Sequence, residues 1–187
     1  MKIKDMMVIS LSTAIIAVLG FVPPLTLPFT QVPITLQTLG VMLAGGINKP
    51  KNAALSLIVF LLLVASGIPI LAGGRGGLSV FVSPSAGYIL AWPVVAFCIS
   101  LTVTKLSSLH FRKIFFLHIL FGIFLLYAVG IPVQAFLMHI DLKKAAVLSL
   151  VYIPGDLLKS AAAAFLVLKL RKVLQTHGWE DYKRADY

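Results

Sequence analysis

Residues 153–160 read Ile-Pro-Gly-Asp-Leu-Leu-Lys-Ser and place a carboxylate and an ammonium group inside a long apolar segment near the C-terminus. Asp156 and Lys159 are three positions apart, so their side chains lie on one face of a helix. A lipid-facing charge costs ~3 kcal/mol or more, so charged residues at membrane depth usually face a bundle interior or a ligand. We interpret the pair as the centre of a binding site. The alternative is an ion pair that only neutralises itself within the bundle.

The composition indicates an integral membrane protein. Of the 187 residues, 59% are hydrophobic and 12% are charged, whereas soluble domains carry about 25% charged residues. One bundle uses this whole length, so we expect a single transmembrane domain over 1–187, with a polar cytoplasmic tail at about 173–187. The predicted fold class is an all-α helical bundle in the cell membrane.

Six apolar segments predict a bundle of six membrane-spanning helices. The prolines in 23–28 predict an uncharged loop or re-entrant segment, and Pro33 is expected in the first turn of the second helix. The fifth helix is expected to be perturbed around 130–132. The sixth either runs unbroken past Asp156 or restarts at Pro154. The predicted helices cover about 6–22, 31–46, 52–66, 86–103, 114–138 and 145–170.

The net charge of +10 is mainly a signal of membrane topology. Both termini and the connections after the second and fourth helices carry twelve Lys and Arg residues, against three in the opposite connections. The positive-inside rule therefore predicts that both termini are cytoplasmic. The loops at 23–28 and 67–79 then face outside, where a solute would be captured. This distribution leaves nucleic-acid binding as a poor explanation of the charge.

Other polar and aromatic side chains are candidates for lining the same cavity. Amide and hydroxyl groups near the start of the second helix seek polar partners, but such groups also hold helices together. The tyrosines offer an apolar ring and a polar tip, although aromatic residues also anchor helices at the membrane interface. Arg75 is either an exposed loop charge or a gate that contacts an anion. The candidates are Thr35, Gln37, Thr38, Arg75, Ser79, Tyr88, Trp92, Gln134 and Tyr152.

Several chemistries are not expected. The glycine-rich segment 73–77 lacks the Gly-Lys-Ser/Thr ending of a phosphate loop, so no ATPase is predicted in this chain. Cys98 has no cysteine partner and the four histidines have no metal-ligand spacing, so we predict no disulfide, metal site or cofactor. Ser66 lies in a loose version of a serine-nucleophile turn without an evident base, which leaves an intramembrane hydrolase as a third alternative.

Three motifs, in order along the chain, resemble the BioY family. They are VPITLQTLG at 32–40, the Gly-Ile-Pro and Ala-Gly-Gly-Arg-Gly-Gly-Leu runs within 67–78, and IPGDLLK at 153–159. BioY proteins are the substrate-capture components of energy-coupling factor transporters for biotin. The resemblance implies a six-helix membrane bundle that binds biotin from outside and docks on a transmembrane subunit linked to two cytoplasmic ATPases.

The resemblance leads to a prediction of vitamin capture without covalent chemistry. Biotin has a ureido group with two N–H donors and a carbonyl acceptor, an apolar thioether ring and a carboxylated tail. Asp156 can accept from a ureido N–H while Lys159 donates to the carbonyl; in the reverse pose, Lys159 meets the tail carboxylate. The alternative function is a stand-alone proton- or sodium-coupled secondary transporter of a small organic solute, with Asp156 as the ion site.

The first helix carries two rows of small side chains. Ser10 and Ala14, and likewise Thr13 and Ala17, are four residues apart. Such rows let another helix approach closely, either within the bundle or from a partner. Because the resemblance implies an external coupling subunit, we expect Ser10, Ala14 and Ala17 to form part of a docking face.

Overall fold

The computed structural model describes residues 2–106 and 108–176. Within these residues the chain is mainly helical, with one short β-hairpin before the second helix. Most of the predicted polar tail, 177–187, lies outside the described residues. The elements are α1 (Ile3–Gly20), β1 (Leu25–Leu27), β2 (Thr30–Ile34), α2 (Gln37–Ile47), α3 (Pro50–Ala65), α4 (Ala86–Val103), α5 (Phe111–Ile119), α6 (Leu126–Met138), α7 (Leu142–Ser149) and α8 (Ile153–Thr176).

The segment before α2 is a hairpin, where the sequence predicted the start of a helix. Strands β1 and β2 pair antiparallel, and α2 begins only at Gln37. The β-branched residues Val32 and Ile34 favour a strand, and Pro33 is tolerated because a two-stranded sheet consists of edge strands. The prediction that Pro33 lies in a first helical turn is therefore wrong, and part of the segment 23–28, predicted as a loop or re-entrant segment, forms strand β1.

The irregularity expected in the fifth helix lies earlier than predicted. A π-helical segment, Leu120–Leu125, joins α5 to α6, whereas Pro132 lies inside α6. Gly122 of this segment faces α2, and a Cβ on it would lie 2.5 Å from Met42 Cε. A Cβ on Gly130 would lie 2.3 Å from the ring of Tyr88. Both glycines thus permit close helix contacts, and the irregularity coincides with the contact to α2.

The last helical stretch restarts at the residues that carry the charged pair. A 3-10 segment, Leu150–Tyr152, separates α7 from α8, and Asp156 lies in the first turn of α8. Pro154 is compatible with this turn because the first N–H groups of a helix have no intrahelical acceptor. The helix dipole also favours a carboxylate there. Helix α8 continues to Thr176, so the start of the predicted tail is helical.

Within the described residues, four helical segments are long and apolar enough to cross a membrane: Ile3–Gly20, Ala86–Val103, Phe111–Met138 and Leu142–Leu174. Two shorter apolar helices, Gln37–Ile47 and Pro50–Ala65, accompany them. The fold is therefore a helical membrane bundle. Its central element is α4, which packs against α2, α3 and α6. Of the residues of α4, 61% are buried, compared with 22% of the residues of α1.

Candidate functional site

Asp156 and Lys159 form a buried ion pair, with 2.6 Å between Oδ1 and Nζ. The two residues are only 5% and 7% exposed. Tyr127 Oη donates to the other carboxylate oxygen of Asp156 at 2.5 Å. Lys159 Nζ also donates to the backbone oxygen of Thr35 at 2.9 Å and to Thr38 Oγ1 at 3.0 Å. Each charge therefore has several hydrogen-bond partners, as a buried pair requires.

The pair lies in the wall of a cavity between the hairpin and four helices. The cavity has a volume of about 60 Å³ and is partly open to solvent. Its surface is mostly apolar, which suits a ligand with a hydrophobic body and a few polar groups. The lining residues are Val32, Pro33, Ile34, Thr35, Gln37, Thr38, Leu71, Ser85, Tyr88, Ile89, Trp92, Leu126, Tyr127, Tyr152, Asp156 and Lys159.

Gln37 lines the cavity, but its amide atoms are engaged elsewhere. Its Nε2 donates to the backbone oxygens of Ile16 and Ile70 at 3.1 and 3.0 Å, and its Oε1 accepts from the N–H of Ala72 at 2.9 Å. These bonds tie α1 and the loop at 67–79 to the start of α2. Gln37 thus lines the cavity and also links separate segments of the bundle. These are the two positions that the sequence suggested for it.

The tyrosine hydroxyls are also held in place. Tyr88 Oη donates to Gln134 Oε1 at 2.8 Å and lies 3.0 Å from Ser149 Oγ. The hydroxyl of Tyr152 is hydrogen-bonded to that of Thr30 in β2. The rings of both tyrosines therefore offer rigid apolar surface to the cavity, and the Tyr152 contact fixes the hairpin to the start of α8.

Three sequence candidates lie outside the cavity lining: Gln134, which accepts a hydrogen bond from Tyr88, and Arg75 and Ser79. Ser79 is exposed in the 3-10 segment Leu78–Val82. The guanidinium of Arg75 donates to Ala72 O at 3.2 Å and to the hydroxyl of Ser85, a lining residue, at 3.1 Å. Burial lowers the pKa of Arg75. Arg75 thus contacts a residue of the cavity wall without lining the cavity itself. A direct ligand role for Arg75 or Ser79 stays a prediction.

The sequence reasoning missed Tyr127, Ser85 and much of the hairpin. Tyr127 is 29 positions from Asp156 along the chain, so no local spacing connects them. The available signal was a tyrosine near the middle of an apolar helix, since interfacial tyrosines usually lie near helix ends. Within 2–106 and 108–176, no group of three or more His, Cys, Asp or Glu side chains is arranged to hold a metal ion.

The two rows of small residues on α1 have different surroundings. Ser10 and Ala14 are exposed. Thr13 is buried, and its hydroxyl donates to Ile9 O and to Ser56 O of α3, both at 2.9 Å. Ala17 is partly buried against the core. The first row is therefore available to a partner, whereas the second contributes to packing within the bundle.

The Ser66 hydroxyl is exposed at the end of α3 and donates to Leu63 O at 2.8 Å. It lies outside the cavity lining. A serine whose hydroxyl bonds to its own helix carbonyl lacks the activating base that a nucleophile needs. The hydrolase alternative thus gains no support from the site geometry.

The fold and the buried pair define a helical membrane protein with a largely apolar cavity whose wall contains a buried ion pair. The BioY family model matches residues 1–176, so the chain belongs to the BioY family. This match extends over all eight helices.

Relatives and a solved structure resemble the chain over most of its length. A probable biotin transporter BioY of Bacillus subtilis is 58% identical over 174 residues, which is 93% of this chain and 94% of the relative. The biotin transporter BioY of Rhizobium etli is 42% identical over 89% of this chain and 92% of its own length. The crystal structure of the S-component for biotin from an ECF-type ABC transporter superimposes with a TM-score of 0.87, at 36% identity, covering 91% of this chain and 92% of that one.

Proposed function

We propose that this protein captures biotin as the substrate-specific component of an ATP-driven vitamin uptake transporter of the ECF type. The observation that carries the proposal is the Asp156–Lys159 pair, buried in a largely apolar cavity of a BioY-family chain. The relatives are biotin transporters by name, and the similar solved structure is an S-component for biotin. On this proposal the chain is a transport component and not an enzyme.

The geometry of the pair favours the ureido end of biotin. The 2.6 Å separation means that both charged groups meet the same part of a ligand. A ureido group offers N–H donors to Asp156 and a carbonyl acceptor to Lys159, whereas a tail carboxylate at this position would be repelled by Asp156. Hydrogen bonds to charged groups contribute about 1.5–3 kcal/mol each, and burial of the apolar rings against Ile89, Trp92 and Leu126 adds to them.

The coupling to ATP is supplied by partners. The chain has no phosphate loop, so the proposal includes a transmembrane coupling subunit and two cytoplasmic ATPases. The exposed Ser10 and Ala14, with the partly buried Ala17 beside them, are the proposed docking residues. Six membrane spans with both termini cytoplasmic complete the proposal, which requires the two short helices, α2 and α3, to span together with the hairpin and flanking segments.

The decisive experiment uses the purified full chain in liposomes. Isothermal titration should detect biotin binding, and no concentrative uptake should follow when a proton or sodium gradient is imposed without partners. Absence of biotin binding would overturn the proposal. Robust gradient-driven uptake by the chain alone would favour the secondary transporter, although the ammonium of Lys159 at 2.6 Å already occupies the place that a cation would take beside Asp156.

A further inference from the structure

Three residues of α4 and its N-cap residue form a stripe that faces the cavity. Ser85, Tyr88, Ile89 and Trp92 all line it, and offsets of three, four and seven positions place them on one side of a helix. The hydroxyls of the first two already have protein partners. The stripe therefore presents one further polar group, the indole N–H of Trp92.

This N–H has no hydrogen-bond partner within the described part of the chain, although Trp92 is only 3% exposed. An indole N–H is a donor only, so it requires an acceptor. Leaving a buried donor unpaired is destabilising. The ring is held in place by Phe60, with 5.9 Å between the ring centroids. Trp92 is thus a fixed donor at the cavity wall.

Trp92 and Lys159 line the same cavity. Trp92 also contacts a tightly packed region next to the cavity, and Thr38 and Leu126 border both. Thr38 Oγ1 accepts from Lys159 Nζ at 3.0 Å. Thr38 thus contacts Lys159 on α8 and lies beside Trp92 of α4 in the cavity wall. A carbonyl oxygen has two lone pairs and can accept from both donors.

We propose that the Trp92 N–H donates to the ureido carbonyl oxygen of the ligand and selects for ligands with an acceptor at this position. This inference rests on the proposed function, in which Lys159 donates to the same oxygen. A ligand without the acceptor leaves the indole N–H buried and unpaired. Sites that hydrogen-bond a ligand group discriminate strongly against analogues that lack it.

The test replaces Trp92 by β-(3-benzothienyl)alanine, which keeps the ring shape but has sulfur in place of the N–H. Isothermal titration of the full chain with biotin should show about tenfold weaker binding, or ~1.4 kcal/mol. Trp92→Phe, which also loses ring area, should bind more weakly still. Unchanged affinity of a benzothienyl variant with normal thermal unfolding would overturn the inference. If the unsubstituted protein fails to bind biotin, the proposed function itself falls, and this inference with it.

A second measurement identifies the acceptor on the ligand. A biotin analogue with sulfur in place of the ureido oxygen is a weaker acceptor, so the unsubstituted protein should prefer biotin over it. The benzothienyl variant should show a smaller preference, because the two changes remove the same hydrogen bond. An equal preference in both proteins would overturn the assignment to the ureido oxygen.

Nuclear magnetic resonance provides a direct readout of the indole N–H. The chain has two tryptophans, Trp92 and Trp179, so Trp179→Phe leaves a single indole signal. Saturating biotin should move the Trp92 indole proton downfield, as expected when it gains an acceptor. A resonance that does not move on biotin addition would overturn the inference.

Discussion

In the Asp156–Lys159 pair, each buried charge is compensated by the other. Removing one partner of a buried pair costs about 3–5 kcal/mol, because the remaining charge is left uncompensated. Replacing both by uncharged groups avoids this penalty, although it also removes the groups proposed to contact the ligand. Stability and binding therefore respond differently to single and double substitutions at these positions.

The first prediction concerns the proposed ligand contacts. Asp156→Asn and Lys159→Ala should each weaken biotin binding at least about tenfold, because a charged hydrogen bond is lost and ~1.4 kcal/mol corresponds to tenfold. Isothermal titration on folded variants measures the effect. The control is the double variant Asp156→Asn, Lys159→Met, which should unfold at a higher temperature than Lys159→Met alone but still bind poorly. Unchanged affinity in the single variants would remove these residues from the site.

The second prediction concerns Tyr127, whose hydroxyl donates to Asp156 at 2.5 Å. Tyr127→Phe keeps the ring but leaves a buried carboxylate oxygen without its donor, which costs about 1–3 kcal/mol. We expect biotin affinity to fall by about tenfold, since ~1.4 kcal/mol is tenfold. The same substitution in an Asp156→Asn background should have a much smaller effect. Equal losses in both backgrounds would mean that Tyr127 acts independently of Asp156.

At the scale of elements, two segments outside the long helices border the site. The hairpin contributes Val32, Pro33 and Ile34 directly to the cavity lining. The glycine-rich segment 67–79 contacts the wall through Arg75. Positive φ values, which glycine adopts far more readily than other residues, occur in this segment at Gly67, Gly73, Gly74 and Gly77.

The third prediction is that 67–79 acts as a lid that becomes ordered over bound biotin. A spin label at Ser79→Cys, in a Cys98→Ala background that leaves no other cysteine, should lose mobility when biotin is added. A label at the exposed Lys105→Cys, just beyond the far end of α4, is the matched control and should not respond. Identical mobility at Ser79→Cys with and without saturating biotin would argue against a lid.

At the scale of the whole molecule, the proposed function requires the bundle to present a face to a coupling subunit. The exposed row on α1, Ser10 and Ala14, permits close approach by another helix. The row behind it, Thr13 and Ala17, is used by the bundle itself. Adjacent positions on one helix therefore divide into an exposed row, proposed for docking, and a row that packs within the bundle.

The fourth prediction follows from this division. Ala14→Trp should abolish ATP-driven biotin transport by the assembled complex while the isolated chain still binds biotin, because the added bulk blocks docking and not the cavity. Ala17→Trp is the matched control and should lower thermal stability of the isolated chain by overpacking the core. Loss of biotin binding in Ala14→Trp would assign this residue to internal packing. Normal transport would exclude it from the docking face.

Local sequence patterns were sufficient to predict features that depend on a single segment of the chain. The bounds of α4 agree with the prediction, because a long apolar run between a turn and polar residues is typical of a spanning helix. The pairing of Asp156 with Lys159 also follows from helical spacing alone. The hairpin at 25–34 was missed because its strands are short and pair only with each other, so no long alternating pattern marks them.

The sequence by itself determined that this is an apolar helical membrane protein, that one carboxylate and one ammonium share a helix face, and which family it resembles. Tertiary structure alone decided what surrounds the pair. The hydrogen bond from Lys159 to Thr35 joins residues 124 positions apart, and Tyr127 reaches Asp156 from another helix. Periodicity fixes which face of each helix is apolar, but contacts between faces depend on how all the helices pack together.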